Sequence, residues 1–312
     1  MRVFVAGASG TIGIPLVQGL VARGHDVIAM TRSAGMANDL HALGASVAVA
    51  DALDRPALVR VVTEARPTHV IHQLTALPKA GVTRPSDLGP TNRLRIEGTR
   101  NLLEAAIQAG AARFIVGSFA MLSPRDAATG SPQAANSPKP QTAVTDAAAT
   151  AVRSMELQVL EASRNGAIEG VILRYGLFYG PDVPSTRNTI EMVRRHLLPV
   201  VRHDAGQLPV INVQDAAEAT VLALDRAPAG AVYDIVDDRP VSFSEIVETI
   251  AEFTGSAAPW RVPAWIPRLL SPYMARLISL RMPLSNARAK AELGWRPRYP
   301  TIREGLAPLA RD

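Results

Sequence analysis

Val3-Phe4-Val5-Ala6-Gly7-Ala8-Ser9-Gly10-Thr11-Ile12-Gly13 carries a short apolar run straight into three glycines. Residues 14–23 then place apolar side chains three and four apart. The reading is a buried strand, a tight turn and the start of a helix. The first glycine permits the turn, the second lets bare backbone approach a pyrophosphate, and the third packs helix against strand. Free amides and the dipole at the helix start favour phosphate charge. Glycines in this pattern alone also fit a plain strand–helix turn. Their position between strand and helix makes the stretch a dinucleotide fingerprint.

Outward from this turn the first half alternates strands with helices. Residues 3–6, 27–30, 47–50, 70–72, 114–116 and 171–173 read as buried strands, and 14–23, 56–65, 93–109 and 150–164 as helices. Such alternation predicts an α/β fold with a doubly wound parallel sheet, helices on both faces. Residues 124–150, rich in Ala, Pro, Ser and Thr, read as a long surface loop. After Arg174 the pattern is irregular, and 208–213, 216–224 and 232–236 read as a return to the sheet. From Ser242 the chain reads as helical over 242–253, 265–280 and 285–293, with Ser242 and Glu245 spaced as a capping box. The expected division is a Rossmann domain over 1–176 and 208–236. A smaller, mainly helical substrate lobe takes 177–207 and 237–312.

Composition narrows the function classes. In 312 residues, 47% are hydrophobic and 20% charged, which excludes a disordered chain. The absence of cysteine excludes disulfides, thiolate metal sites and thiol nucleophiles. The net charge of +5 comes without a block of like charges, so no nucleic-acid partner is expected. No run reaches the roughly 18–20 apolar residues of a membrane span. The apolar stretch over 262–283 is broken by Arg268, Pro272, Arg276 and Arg281 and reads as part of the lobe. A cytoplasmic protein acting on a small molecule is the expectation, with homodimerisation left open and no metal expected.

The second strand ends at Met30-Thr31-Arg32-Ser33, where an acidic residue would bind the ribose 2′-hydroxyl of NAD. An arginine instead suits a 2′-phosphate, so NADP is preferred over NAD. A solvated Arg32 is the alternative.

Further landmarks follow in order: Asp51-Ala52-Leu53-Asp54, His69-Val70-Ile71-His72-Gln73-Leu74-Thr75-Ala76, Gly98-Thr99-Arg100-Asn101-Leu102-Leu103-Glu104-Ala105-Ala106, Leu173-Arg174-Tyr175-Gly176-Leu177-Phe178-Tyr179-Gly180-Pro181, 210–219 and 292–297. In order and spacing they resemble the extended short-chain dehydrogenases/reductases, the sugar-nucleotide epimerases, dehydratases and dihydroflavonol-type reductases. The resemblance implies cofactor contacts from Gly7, Ser9, Gly10, Thr11, Ile12, Gly13 and Arg32. It implies Asp51 and Ala52 near the adenine, Leu74, Thr75 and Ala76 along the cleft, and Tyr175 beside the nicotinamide.

The proton relay of that family does not carry over. Its members use Tyr-x-x-x-Lys on the helix after the long loop, the lysine lowering the tyrosine pKa. The three lysines here, Lys79, Lys139 and Lys290, are preceded four residues earlier by Thr75, Ala135 and Asn286. The tyrosine position falls at Ala148 or Ala149 and the lysine position at Val152 or Arg153. The assisting Ser/Thr aligns with Phe119, one residue from Ser118, and the structural asparagine is replaced by Arg95, with Asn92 three positions earlier. The chain is therefore similar to the atypical branch.

Substitute donors come from the remaining polar residues. Tyr179, Tyr175 and Ser118 are the catalytic candidates, the tyrosines equally readable as packing aromatics and the serine as a strand cap. Arg95 is a candidate for a cofactor phosphate or a substrate carboxylate, or a solvated helix residue. His196 and His203 are further candidates as general acids. Three functions fit this pattern. The first is an NADP-dependent reductase or epimerase with a non-standard relay. The others are a non-redox isomerase, lyase or cyclase on the same fold, and a non-catalytic NADP-binding sensor.

Overall fold

The computed structural model describes all residues except 79–81, 83, 124–142, 203, 205, 271–280, 283 and 312. Seven parallel strands form the central sheet: β1 (Arg2–Ala6), β2 (Asp26–Thr31), β3 (Ser46–Val49), β4 (His69–His72), β5 (Arg113–Phe119), β6 (Glu169–Tyr175) and β10 (Val232–Ile235). Their spatial order is β3-β2-β1-β4-β5-β6-β10. The chain winds outward from β1 to β3, then returns to β1's other edge as β4 and winds the opposite way. The sheet is thus doubly wound, and the β1/β4 boundary is its topological switch point, where such sheets open a crevice at their carboxyl ends.

The strands read as unbroken apolar runs because both faces are covered. Val3, Val5, Ile71 and Ile115 point into a core closed by α1 (Gly13–Ala22) and α8 (Val213–Arg226). Phe4, Ala6, Val70, Phe114 and Val116 point into a second core under α3 (Arg55–Ala65), α5 (Thr99–Gln108) and α6 (Ala143–Arg164). Helix α3 is capped by Asp54, whose side chain accepts from the amide of Ala57, with Pro56 in its first turn. The helical run over 89–108 is not uniform. It starts as α4 (Gly89–Arg93), passes through one π turn (Leu94–Gly98) and resumes as α5.

Several expectations are corrected here. Residues 143–150, read as loop, are the first turns of α6, since Ala-rich sequence is a strong helix former. The part of that loop over 124–142 lies outside the described residues, as does 271–280 of the expected helix. Helix α2 (Ala37–Ala42) was not expected, and α7 (Pro184–Arg194) is a helix within the lobe piece 177–207 whose bounds the sequence reading did not give. Of the three segments read as returning to the sheet, only 232–236 does so. Val210–Asn212 (β9) pairs instead with Leu177–Tyr179 (β7). Residues 213–226 are helical because Asn212 caps the amide of Gln214 and apolar side chains recur every three to four residues. Ser242 does cap Glu245 in α9 (Phe243–Phe253), but the Glu245 carboxylate pairs with Arg239 rather than completing a box.

A smaller core joins β7, β9, α7, α9, β8 (Val200–Val201) and α12 (Ile302–Leu306). Remaining short elements are β11 (Arg261–Val262), paired with β8, then α10 (Trp265–Leu270) and α11 (Ala287–Leu293). Among the described residues no helix is long and apolar enough to cross a membrane.

Candidate functional site

At the switch point the backbone of the glycine turn lies directly on β4. A Cβ built on Gly7, whose φ is +91°, would sit 2.7 Å from the Gln73 carbonyl oxygen. On Gly13 a Cβ would strike the carbonyls of Gly7 and Ala8, so helix α1 closes onto the turn only without a side chain there. Gly10 differs: its Cβ would meet only the Gly7 oxygen, at 3.1 Å, and the residue is exposed. That leaves bare backbone in front of the α1 amides, the surface a pyrophosphate requires. Ile12, at the N-cap position, is buried, while Thr11 is exposed beside it. Ser9 Oγ meets Thr31 Oγ1 at 3.2 Å, tying the turn to the end of β2.

Beyond the ends of β2 and β4 lies a cavity of about 300 Å³, lined by Arg32, Leu53, Ala76, Pro90 and Arg93 among others. Asp51 holds the neighbouring loop by accepting from the amide of Leu53 at 2.9 Å, and the Ala52 carbonyl accepts from Asn101 at 2.9 Å. Arg32 is exposed at the cavity mouth. Leu74 and Ala76 are half-buried and Thr75 is exposed along the continuation of β4. Bare backbone at Gly10, with Arg32, Leu53 and Ala76 on the cavity wall, fits a dinucleotide, while Ile12 and Ala52 are buried behind that surface.

The catalytic candidates do not converge in the same way. Tyr175 is buried with its hydroxyl between two partners: it receives the Gln73 amide at 2.9 Å and meets Thr220 Oγ1 at 2.7 Å. Burial pushes its pKa up to about 12. Tyr179 lies in the small core of the lobe, where its hydroxyl donates to Asp237 at 2.7 Å. Burial first, and then the Asp237 charge, raise its pKa further. Asp237 is itself pushed up to about 8 by burial. Both phenols thus serve packing and internal hydrogen bonds. His196 is exposed and ends α7 with a left-handed φ of 56°, and His203 lies outside the described residues.

Ser118 leads to a group that the sequence reading missed. Its Oγ donates to Glu156 Oε1 at 2.6 Å, and Ser123 Oγ donates to the same oxygen at 2.8 Å. Arg174 completes the cluster from β6, with Nε on Oε1 at 3.0 Å and Nη2 on Oε2 at 2.7 Å. Glu156 and Arg174 are 2% and 3% exposed, so this bidentate pair is a dry clamp between α6 and two adjacent strands. The legible signal was a glutamate on the apolar face of α6, in step with Ala148 and Val152 at i, i+4 spacing. Ala148 and Val152 are fully buried on that face, whereas Ala149 is half-buried and Arg153 exposed. Where α6 meets the sheet edge, the chain presents a methyl and an isopropyl group.

Gln73 was also missed. Its side chain crosses β5 to reach Tyr175, which is why position 117 is glycine: a Cβ there would collide with the Gln73 amide. Arg95 sits in the π turn and is 8% exposed. Beside it, His72 accepts from the Leu74 amide at Nδ1 (3.1 Å), so Nε2 carries the proton and donates to Thr99 at 2.9 Å. Burial, with Arg95 adding to it, pushes the His72 pKa down to about 4, so the ring is neutral. Among the described residues no cluster of three or more His, Asp or Glu could hold a metal.

These features define a dinucleotide-binding fold, and comparison with known proteins agrees with it. The NAD dependent epimerase/dehydratase family profile matches residues 3–236, and the chain belongs to that family. A 3-diazoavenalumate denitrifying reductase from Streptomyces sp is 38% identical over 98% of this chain and 99% of its own length. A 4-hydroxy-2-methyl-3-oxo-4-farnesyl-3,4-dihydroquinoline-1-oxide ketoreductase from Stigmatella aurantiaca is 28% identical over 99% of this chain and 96% of its own. The Thermus thermophilus UDP-glucose 4-epimerase, solved in complex with NAD, has a TM-score of 0.75 at 25% identity, covering 100% and 98% of the two chains.

Three outcomes follow for the site. Gly13→Ala should lower the thermal midpoint by forcing the turn open, a cost of about 1–3 kcal/mol. Gly10→Ala should leave the midpoint of the free protein nearly unchanged while abolishing the stabilisation seen on adding NADPH. Glu156→Gln, which leaves Arg174 buried without its carboxylate, should cost about 3–5 kcal/mol in urea unfolding. A loss below about 1 kcal/mol would show that the clamp does not organise this edge.

Proposed function

We propose that the protein is an NADP-dependent reductase of this family whose chemistry needs no proton from the polypeptide. The observation that carries the reading is the pairing of the glycine-turn crevice with an apolar α6 face at Ala148 and Val152, one of the two registers (148/152 or 149/153) at which the family's tyrosine and lysine fall. A carbonyl reduced by hydride becomes an alkoxide and needs a proton. A diazonium ion does not. A reduced nicotinamide held there would supply one hydride; its transfer to a diazonium carbon would form a C–H bond and break the C–N bond, releasing dinitrogen, so atoms and charge balance without a proton. The Streptomyces relative is named for such a denitrifying reduction of an acid anion, which supports this substrate class here.

The residues have defined tasks in this reading. Gly7, Gly10 and Gly13 with the α1 amides hold the pyrophosphate. Arg32, helped by Arg93 on the same cavity wall, takes the 2′-phosphate of NADP. Asp51 and Ala52 border the adenine. Tyr175, Gln73 and Thr220 keep the carboxyl ends of β4, β5 and β6 in register. Ser118 is held as a donor to Glu156, so it positions α6 rather than protonating a substrate. Buried apolar side chains exclude water from the reacting carbon, which protects a diazonium from hydrolysis.

The test is direct. Purified protein with NADPH and a carboxylated arenediazonium should release dinitrogen and consume NADPH in equal amounts, above the rate without protein. NADH should bind more weakly, and Arg32→Asp should reverse or erase that preference. Turnover of ketones with no acceleration of denitrification would overturn the substrate class. Equal affinity for the two cofactors would remove the role of Arg32.

A further inference from the structure

Arg95 is the least compensated buried charge among the described residues. Its side chain is more than nine-tenths buried, yet its one hydrogen-bond partner there is the neutral Asn92 Oδ1, at 3.3 Å. No carboxylate of the described residues reaches it. An isolated guanidinium out of water is costly unless an anion meets it. By contrast, Arg174, equally buried, has both oxygens of Glu156.

The placement says what kind of anion is missing. Thr91, Arg95 and Thr99 follow each other at i, i+4 spacing and occupy one face of the helical run. Thr91 Oγ1 accepts from the Ala76 amide at 2.9 Å, and Thr99 Oγ1 bonds His72 Nε2 at 2.9 Å. That face therefore lies along residues 72–76, the continuation of β4 that walls the crevice, with Arg95 between its two anchors. The single π turn, Leu94–Gly98, falls at Arg95 itself; such turns recur at functional sites. His72, the neighbouring titratable group, is neutral and offers no countercharge.

The cofactor's anions have other receptors. The pyrophosphate belongs to the glycine turn and α1, on the β1 side of the switch point, and the 2′-phosphate to Arg32 at the end of β2. Arg95 stands on the β4 side. We infer that Arg95 holds the carboxylate of the substrate, as a fixed planar fork in a dry recess beside the crevice. This assignment rests on the reductase reading for there being an acidic substrate in the crevice, and it adds which residue receives the acid group.

The experiment uses thermal midpoints of the full chain, with saturating NADP⁺, in benzoate or cinnamate and in the corresponding amides. In the wild type at least one acid should raise the midpoint and its amide should not. Arg95→Met should raise the midpoint of the ligand-free protein, because an uncompensated charge is removed, and should erase the response to the acid. By calorimetry its affinity for that acid should fall about 10- to 100-fold, Arg95→Lys should recover part of it, and the Kd for NADPH should not change. A lower midpoint for both Arg95→Met and Arg95→Gln would make the guanidinium structural and overturn the assignment. So would acids that leave the wild type unmoved or that bind the variants equally. Loss of NADPH affinity in Arg95→Met would give the guanidinium to a cofactor phosphate, also against the assignment. Denitrification separates this inference from the reductase reading: acid binding that depends on Arg95, without diazonium turnover, would sustain the former and sink the latter.

Discussion

The contact on which the rest of the molecule depends is the one between Gly7 and Gln73. The Gln73 carbonyl occupies the space where any side chain at position 7 would begin, so β1 and β4 run side by side to their ends. The sheet reverses its winding there, and the crevice opens where two successive loops part. Because Gln73 also extends across Gly117 to the Tyr175 hydroxyl, the same residue sets the ends of three strands. Cofactor crevice and substrate edge thus share one rigid support.

Polar groups buried around that support fall into two kinds. Glu156, Arg174, Ser118 and Ser123 satisfy one another, and Tyr175 is closed between Gln73 and Thr220. Such networks cost little once complete and hold α6 and β6 against the sheet. Arg95 is different, since its charge is buried beside a neutral amide and a neutral histidine. A buried cation beside neutral groups gains stability when an anion reaches it.

Much of this was legible in the chain, and the misses have physical causes. The glycine turn could be read because a backbone conformation and a close approach each demand a particular residue type. Arg32 is found at the end of β2 and Asp51 just after β3, because their distance from the turn follows from strand and helix length. The strands were legible as apolar runs since both faces are buried. Between the two readings of Tyr175 and Tyr179 the sequence could not choose, because an aromatic alcohol looks the same whether its hydroxyl faces a substrate or Thr220 and Asp237. Glu156 was hidden because its partner Arg174 lies on a separate strand, and only tertiary packing brings the two together. Residues 216–224 were misassigned for a related reason: alanines at helical spacing on a short apolar run leave the period ambiguous.

In the proposed reaction hydride alone completes the product, with no proton relayed by the protein. Origin of the new hydrogen tests this most directly: NADPH deuterated at the transferred position, a carboxylated arenediazonium, and ordinary water, with the product read by mass spectrometry. The account predicts one deuterium on the carbon that carried nitrogen, and none there when unlabelled NADPH is used in D₂O. Deuterium drawn from D₂O instead would mean that a proton donor operates in this site and would contradict the account.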